Sequence, residues 1–225
     1  MTFPKDTPNA SLDLERDMER YGETERRILM ASVKIFSEKG FDGSRTDEIA
    51  KLAGVNKAMI HYYFESKERL YVTLISLVFK RLSLILREYF EDISPETVEE
   101  DISHFVDRYF EFLRANTKFF KMLLWELARG GEQIGKVMKE IIGEQFVALQ
   151  SQLKEAMQKG YIRTLDPRHM MLSIIATVLF YFISRPIITH LWGEDPLSDE
   201  NIALRKREVK KIILRGILPD GTDPQ

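Results

Sequence analysis

Cysteine is absent from the chain, which excludes disulfides and any metal site built on thiolates. Histidine is scarce, and His61, His104, His169 and His190 are scattered. An excess of basic residues is also missing: 33 Lys and Arg stand against 35 Asp and Glu, a net charge of −2 over 225 residues. No global cationic field therefore points to a polyanion, although a dimer can present a local basic face on an acidic body. Long apolar runs are missing. The most apolar stretch, 170–183, falls short of the roughly 20 residues a bilayer needs and is interrupted by Ser173 and Thr177, so no membrane partner is expected. The first twenty residues are polar and charged without an apolar core; no secretory signal is expected, and a cytoplasmic protein is. There is no Gly-x-Ser-x-Gly elbow, Walker loop or dinucleotide fingerprint, and Gly40 and Gly43 are placed as a helix stop and a turn. Neither a catalytic residue nor a cofactor is expected.

What is present is helical patterning, with 44% hydrophobic and 30% charged residues, enough for a real core. The chain is organised around 46–71, TDEIAKLAGVNKAMIHYYFESKERLY. Thr46 is the expected N-cap of a helix whose inner side is Ile49, Ala50 and Ala53. Gly54 stops it by accepting the left-handed conformation, Val55 plugs the turn, and Asn56 caps a second helix running to about Phe64. Ile60 and Phe64, four residues apart, share its inward face. Lys57, Ala58, Met59, His61 and Tyr62 are left largely outward, a set that suits a major groove and its flanking phosphates.

This arrangement, a Thr-capped helix with E-I-A, then A-G-V, then an aromatic run ending in Phe, then S-K-E-x-L, resembles the DNA-binding domain of TetR-type transcriptional regulators from about Gly22 to Phe79. The resemblance implies phosphate contacts from Thr46, Tyr62, Tyr63 and Lys67, and base-edge positions at Lys57 and Ala58. Arg45 is taken as a further DNA contact, and His61 as a contact to phosphate or base. Ala58, Met59, Ile60 and His61 depart from the commoner Gly-Thr-Leu-Tyr pattern, which bears on base preference and leaves the fold alone. The resemblance further implies a homodimer on a palindromic double-stranded operator and a small-molecule effector bound in the C-terminal body. It also implies that the long helix after Ser66 links the two parts.

The expected fold is all-α. An N-terminal extension, 1–21, reads as a flexible tail whose later part, 12–21, could extend the first helix. A three-helix helix-turn-helix domain follows over 22–82, with its DNA-binding motif at 45–64, and then an effector-binding and dimerisation domain over 83–225. The pattern predicts helices over 23–39, with Phe41 packing back under the next pair, and over 66–92. Further helices are predicted from Ser94-Pro95 to about Ala115 and over 117–129, 132–159 and 170–184, the last of these closed by Arg185-Pro186. A loop follows, and a final helix begins at Ser198.

In the C-terminal part, Phe105, Tyr109, Phe112, Phe120, Trp125, Phe146 and Phe180 could line a pocket for a largely apolar effector; on helices such stripes equally form core. Ile174, Val178 and Tyr181, with Ile202, Val209, Ile212 and Ile213 of the last helix, are expected to form a four-helix dimer interface. Asp101, His104 and Asp107 share a helix face that could nominally bind a metal, but mixed-charge faces of this kind are common and no metal is expected. The resulting expectation is a ligand-responsive repressor. Two rivals stand beside it: an architectural or cell-division DNA-binding protein of the same fold without an effector, and a helical ligand-binding or enzymatic protein with a vestigial helix-turn-helix.

Overall fold

The computed structural model describes residues 12–90 and 93–219, and among them every regular element is helical. The chain begins with a single turn, α1 (Leu14–Asp17), and a 3-10 turn (Met18–Arg20). The helix-turn-helix unit follows as α2 (Glu23–Lys39), α3 (Thr46–Ala53) and α4 (Lys57–Phe64), then the long α5 (Lys67–Phe90). The remainder comprises α6 (Val98–Ala115), α7 (Thr117–Ala128), α8 (Glu132–Gln158), α9 (Pro167–Ile183), α10 (Arg185–Trp192) and α11 (Asp199–Ile217).

These helices form two compact units. One contains described residues 12–83 and 115–143; the other contains 84–90, 93–114 and 144–219. The first unit is therefore larger than the segment 22–82, because α7 and the first half of α8 belong to it. Its core joins Ile28, Leu29 and Phe36 of α2, Ile49 of α3, Ile60 of α4 and Leu70, Tyr71 and Leu74 of α5, all buried. The Tyr71 hydroxyl donates to the Met122 carbonyl at 3.2 Å. Gly40, at φ 69, ends α2, and a Cβ there would stand 3.1 Å from the Trp125 ring. Phe41 packs between α2 and α5, its ring 5.1 Å from that of Tyr71 and 6.1 Å from that of Phe36, where the sequence pattern predicts a place under the next pair of helices.

Three further local expectations need correction. Residues 12–21 are an integral layer: Leu14 and Met18, four apart, are fully buried. The Asn116 amide brackets them, accepting from Leu14 N at 2.9 Å and donating to Leu12 O at 2.7 Å, and Arg81 pairs with Asp17. Residues 1–11 lie outside the described chain. At the start of α3 the capping residue is Arg45, whose N–H donates to Glu48 Oε2 at 3.4 Å, so Thr46 is already the first helical residue. Finally, Arg185-Pro186 opens α10 instead of beginning a loop. Proline at a first-turn position has no N–H to leave unpaired, and Ser184 is at once the C-cap of α9 and the N-cap of α10.

In the second unit α6 buries Phe105, Tyr109, Phe110 and Phe112, while α9 and α11 bury Val178, Tyr181 and Val209. Charge fixes α11 on α6: Lys210 reaches Asp107 at 2.9 Å, Lys206 reaches Glu111 at 3.2 Å, and Arg114 reaches Asp199 at 2.5 Å. Arg163 ties the end of α11 through Ile217 O and Leu218 O. Among the described residues no single helix is long and apolar enough to cross a membrane; α9 and α10 are apolar together but bend by 63°.

Candidate nucleic-acid interface and effector cleft

The turn between α3 and α4 is fixed from three sides. Gly54 takes φ 64, and Val55 N–H donates to Ala50 O at 3.0 Å, satisfying a carbonyl that the helix end would leave open. From α2, one Arg27 nitrogen donates to Ala53 O at 2.5 Å and to Gly54 O at 2.7 Å. Asn56 Oδ1 accepts from Ala58 N at 3.0 Å and caps α4 as the sequence predicts. With Ile60 and Phe64 buried, α4 presents Lys57, Ala58, His61 and Tyr62 outward. Tyr62 is 77% exposed, and Tyr63, half-buried, meets its ring edge-on at 5.0 Å. Arg45 is exposed and Thr46 half-buried at the start of α3.

Two of the expected DNA contacts already have partners. Lys57 Nζ lies 2.9 Å from Asp47 Oδ2. Lys67, half-buried, donates to Phe41 O at 2.9 Å and Ser44 O at 3.0 Å, with its ammonium 4.1 Å from the Phe41 ring. Arg129 stands over the same ring at 4.8 Å and pairs with Asp42 at 2.8 Å. Lys67 therefore braces the loop that delivers Arg45 and Thr46. Arg27, Asp47 and Glu65 were not anticipated. A long cation on α2 is the only sequence cue to Arg27, and nothing in the residue type announces Glu65, which sits at φ 62 between α4 and α5.

The second unit holds a cleft walled entirely by apolar side chains. Leu86 and Phe90 come from α5, Val98, Ile102 and Phe105 from α6, Leu149 and Leu153 from α8, and Met170, Met171, Ile174 and Ile175 from α9, with Ile93 and Ile162 between helices. Its walls nearly meet. The free cavity is about 30 Å³, room for one water molecule, within about 470 Å³ of empty space between the lining atoms.

Of the aromatic residues expected around a pocket, the structure brings only Phe105 to this cleft. Tyr109 and Phe112 are buried core, and burial holds the Tyr109 hydroxyl well above the usual phenol range. Phe120 and Trp125 belong to the other unit, where the Trp125 indole N–H donates to Ser37 O at 3.4 Å. Phe146 lines a separate groove between α5 and α8, and Phe180 is 66% exposed. Aliphatic and methionine side chains do most of the lining, and in sequence they share the periodicity of ordinary core.

The expected dimer residues divide in the same way. Ile174, Val178, Tyr181, Ile202, Val209 and Ile213 are instead buried within the protomer, and only Ile212 stands out, at 63% exposed. Both α9 and α11 are apolar on two sides, so spacing alone does not say which side turns inward. The outward side of α9 and α10 carries Leu172, Phe180, Ile187 and Leu191. Asp107, considered as a metal ligand, is held by Lys206 and Lys210. Among the described residues no cluster of three metal-ligating side chains occurs.

Comparison with known proteins agrees with this geometry. A family model described as bacterial regulatory proteins, tetR family, matches residues 28–74, and one described as a tetracyclin repressor-like C-terminal domain matches 99–213. The chain is 26% identical over 198 residues to the transcriptional regulator RutR of Escherichia coli K12, covering 86% of this chain and 90% of that one. It is 28% identical over 193 residues to the fatty acid metabolism regulator protein of Bacillus subtilis, covering 85% and 94%. Among solved structures, the fatty acid degradation regulator FadR from Bacillus halodurans matches with a TM-score of 0.66 at 25% identity, over 86% of this chain and 95% of that one. FadR from Bacillus subtilis, solved with stearoyl-CoA, matches with a TM-score of 0.64 at 22% identity, over 84% and 97%.

Proposed function

Because this chain belongs to the TetR family of bacterial regulatory proteins, we propose that it is a cytoplasmic repressor, without catalytic activity, released from a palindromic operator by a chain-like apolar effector. It is a DNA-binding transcriptional regulator that acts as a homodimer and responds to a small molecule. The finer reading is carried by one observation: an all-apolar cleft takes two of its walls, Leu86 and Phe90, from α5. The first turn of that same helix holds Lys67 against the loop before α3. An effector that parts the cleft displaces one end of a helix whose other end positions Arg45, Thr46 and, through the turn at Glu65, α4.

DNA recognition divides by residue type. Arg45, Thr46, Tyr62 and Tyr63 position the protein on phosphates, and Lys57, Ala58 and His61 lie where base edges are read. In a two-fold dimer the two α4 helices enter successive major grooves about 34–36 Å apart. Release follows only if the effector prefers the conformation in which that spacing is lost, since a ligand that binds both states equally shifts nothing. An apolar effector is also what the Bacillus subtilis FadR complex suggests by analogy, since stearoyl-CoA carries a long acyl chain.

The test is a selection from randomised duplex DNA at two salt concentrations, followed by release assays on the enriched site. The expected result is a palindrome with half-sites about one turn apart, released by an apolar compound. Weak binding that enriches no sequence and falls steeply with salt would point to backbone contacts alone and overturn the repressor reading.

A further inference from the structure

The end of α3 takes a hydrogen-bond donor from another helix. A helix leaves its last carbonyls without intrahelical partners, and here Ala53 O and Gly54 O accept from one Arg27 nitrogen of α2, at 2.5 and 2.7 Å. A cation at that end also opposes the partial negative charge of the helix terminus. Gly54 makes room for it. A Cβ at position 54 would stand 2.5 Å from the Arg27 nitrogen, closer than atoms pack. Glycine is therefore required twice, by φ 64 and by the guanidinium.

The side of α2 that carries this contact is firmly held, because Ile28, Leu29, Ala31 and Ser32, which follow Arg27, are buried. The start of α4 has no such anchor of its own. Its buried residues are Ile60 and Phe64, whereas Lys57 and Ala58 are exposed and Met59 is half-buried. Those first residues are held by the Asn56 cap, by the exposed Lys57–Asp47 pair and by the turn that Arg27 grips. The N-terminal residues of a recognition helix are the ones that meet base edges, so a displaced turn is felt first where base identity is read. The phosphate-side residues are farther along the chain from it. Arg45 and Thr46 lie at the opposite end of α3, and Tyr62 and Tyr63 lie in the last turn of α4 beside buried Phe64.

We infer that Arg27 is a positioning residue for base readout: by holding Ala53 O and Gly54 O from α2, it sets where Lys57 and Ala58 stand over the base edges, without itself touching DNA. This rests on the reading of Lys57 and Ala58 as base-edge residues and is independent of the effector. Loss of Arg27 then costs discrimination between sequences and leaves the attraction to the DNA backbone in place.

The experiment is anisotropy titration of the full-length protein over a salt series, with the operator selected from randomised duplex DNA and with a scrambled duplex of equal length. Arg27→Ala, at an exposed position where the fold is kept, is compared with Gly54→Asn and with the double variant. Arg26→Ala removes the same charge from the neighbouring exposed residue. Asparagine tolerates the left-handed conformation, and its Cβ meets only the far end of a flexible side chain, so Gly54→Asn should fold while evicting the guanidinium.

The expected result is operator binding about tenfold weaker in Arg27→Ala and in Gly54→Asn, with scrambled-duplex binding and the salt slope unchanged. The double variant should be no weaker than either single one, and Arg26→Ala should keep the operator preference. Equal loss on both duplexes, with a salt slope smaller by about one, would identify Arg27 as a phosphate contact and overturn the inference. Additive effects of the two substitutions, or the same loss of preference in Arg26→Ala, would overturn it too. Lys57→Ala, titrated in parallel, separates the inference from the reading beneath it. If Lys57→Ala relaxes the base preference and Arg27→Ala does not, the inference falls and the base-edge reading stands. If Arg27→Ala alone relaxes it, the positioning role stands and Lys57 loses its place at the base edge. If neither does, or if selection enriches no sequence, both fall.

Discussion

The Lys57 ammonium lies 2.9 Å from the Asp47 carboxylate, so the first turns of the two helix-turn-helix helices are joined by the cation expected to read DNA. The side chains are 58% and 67% exposed, and such a pair contributes at most about 1 kcal/mol to folding. Its effect belongs to binding, because a carboxylate beside phosphates repels them, and more so at low salt. Asp47→Asn should leave the unfolding free energy within about 1 kcal/mol of wild type and tighten operator binding several-fold. Lys57→Ala should cost about 1–3 kcal/mol and relax preference at one base position. Anisotropy titrations over a salt series measure both. Weaker binding by Asp47→Asn would mean that the carboxylate aims Lys57 instead of restraining it.

Glu65 is the one described non-glycine residue with positive φ, at 62°. Ser66 N–H donates to Phe64 O at 2.6 Å across it, which closes a three-residue turn of the strained kind. A conformation of this type costs about 1–3 kcal/mol, and glycine adopts it freely. Glu65→Gly should therefore raise stability by about 1 kcal/mol after the entropy glycine adds to the unfolded chain. Urea midpoints are the measurement. A loss of stability would show that the exposed Glu65–Arg69 pair at 3.4 Å matters more than the backbone.

The N-terminal half was legible because its residues must satisfy backbone geometry as well as burial. Gly54 at φ 64, Asn56 as a cap, and Ile60 with Phe64 turned inward all lie where their chemistry requires. The C-terminal half offered periodicity alone. Ile212 and Ile213 are adjacent apolar residues with opposite fates, and Phe105 and Phe112 share one stripe though only Phe105 meets the cleft. Which apolar face turns toward a cavity, a core or a partner is decided by packing between helices distant in sequence. No local pattern encodes that choice.

Tyr89 predicts a response to alkali. Burial, followed by the nearby Glu88 carboxylate, pushes its hydroxyl from 10.0 up to about 12. Above pH 10 the unfolded chain releases this proton while the folded protein keeps it, so the unfolded state binds fewer protons and stability falls as pH rises from 10 to about 12. The contribution is fully present below pH 10. Burial acts in the same direction on Tyr71 and Tyr109. Tyr89→Phe should lose less stability across this window than wild type, by chemical denaturation at matched ionic strength. Parallel curves would mean that Tyr89 ionises alike in both states.

Val209 and Ile212 separate core from interface on one helix. Val209 is fully buried within the protomer and Ile212 is 63% exposed, although they lie only three residues apart. Val209→Ala should open a cavity and cost about 1–3 kcal/mol while leaving the protomer's outer face unchanged. Ile212→Asp places a charge on that face without disturbing the core. If α11 meets a second copy there, the change should weaken the dimer in sedimentation at little cost to protomer folding. Linkage supplies an independent check: a folded dimer is stabilised by mass action, so its denaturation midpoint rises with protein concentration. Ile212→Asp should flatten that dependence, and Val209→Ala should lower the midpoint while preserving the slope. If instead Ile212→Asp keeps the slope and Phe180→Ser on α9 loses it, the partner is met through α9 and α10, with α11 turned to solvent.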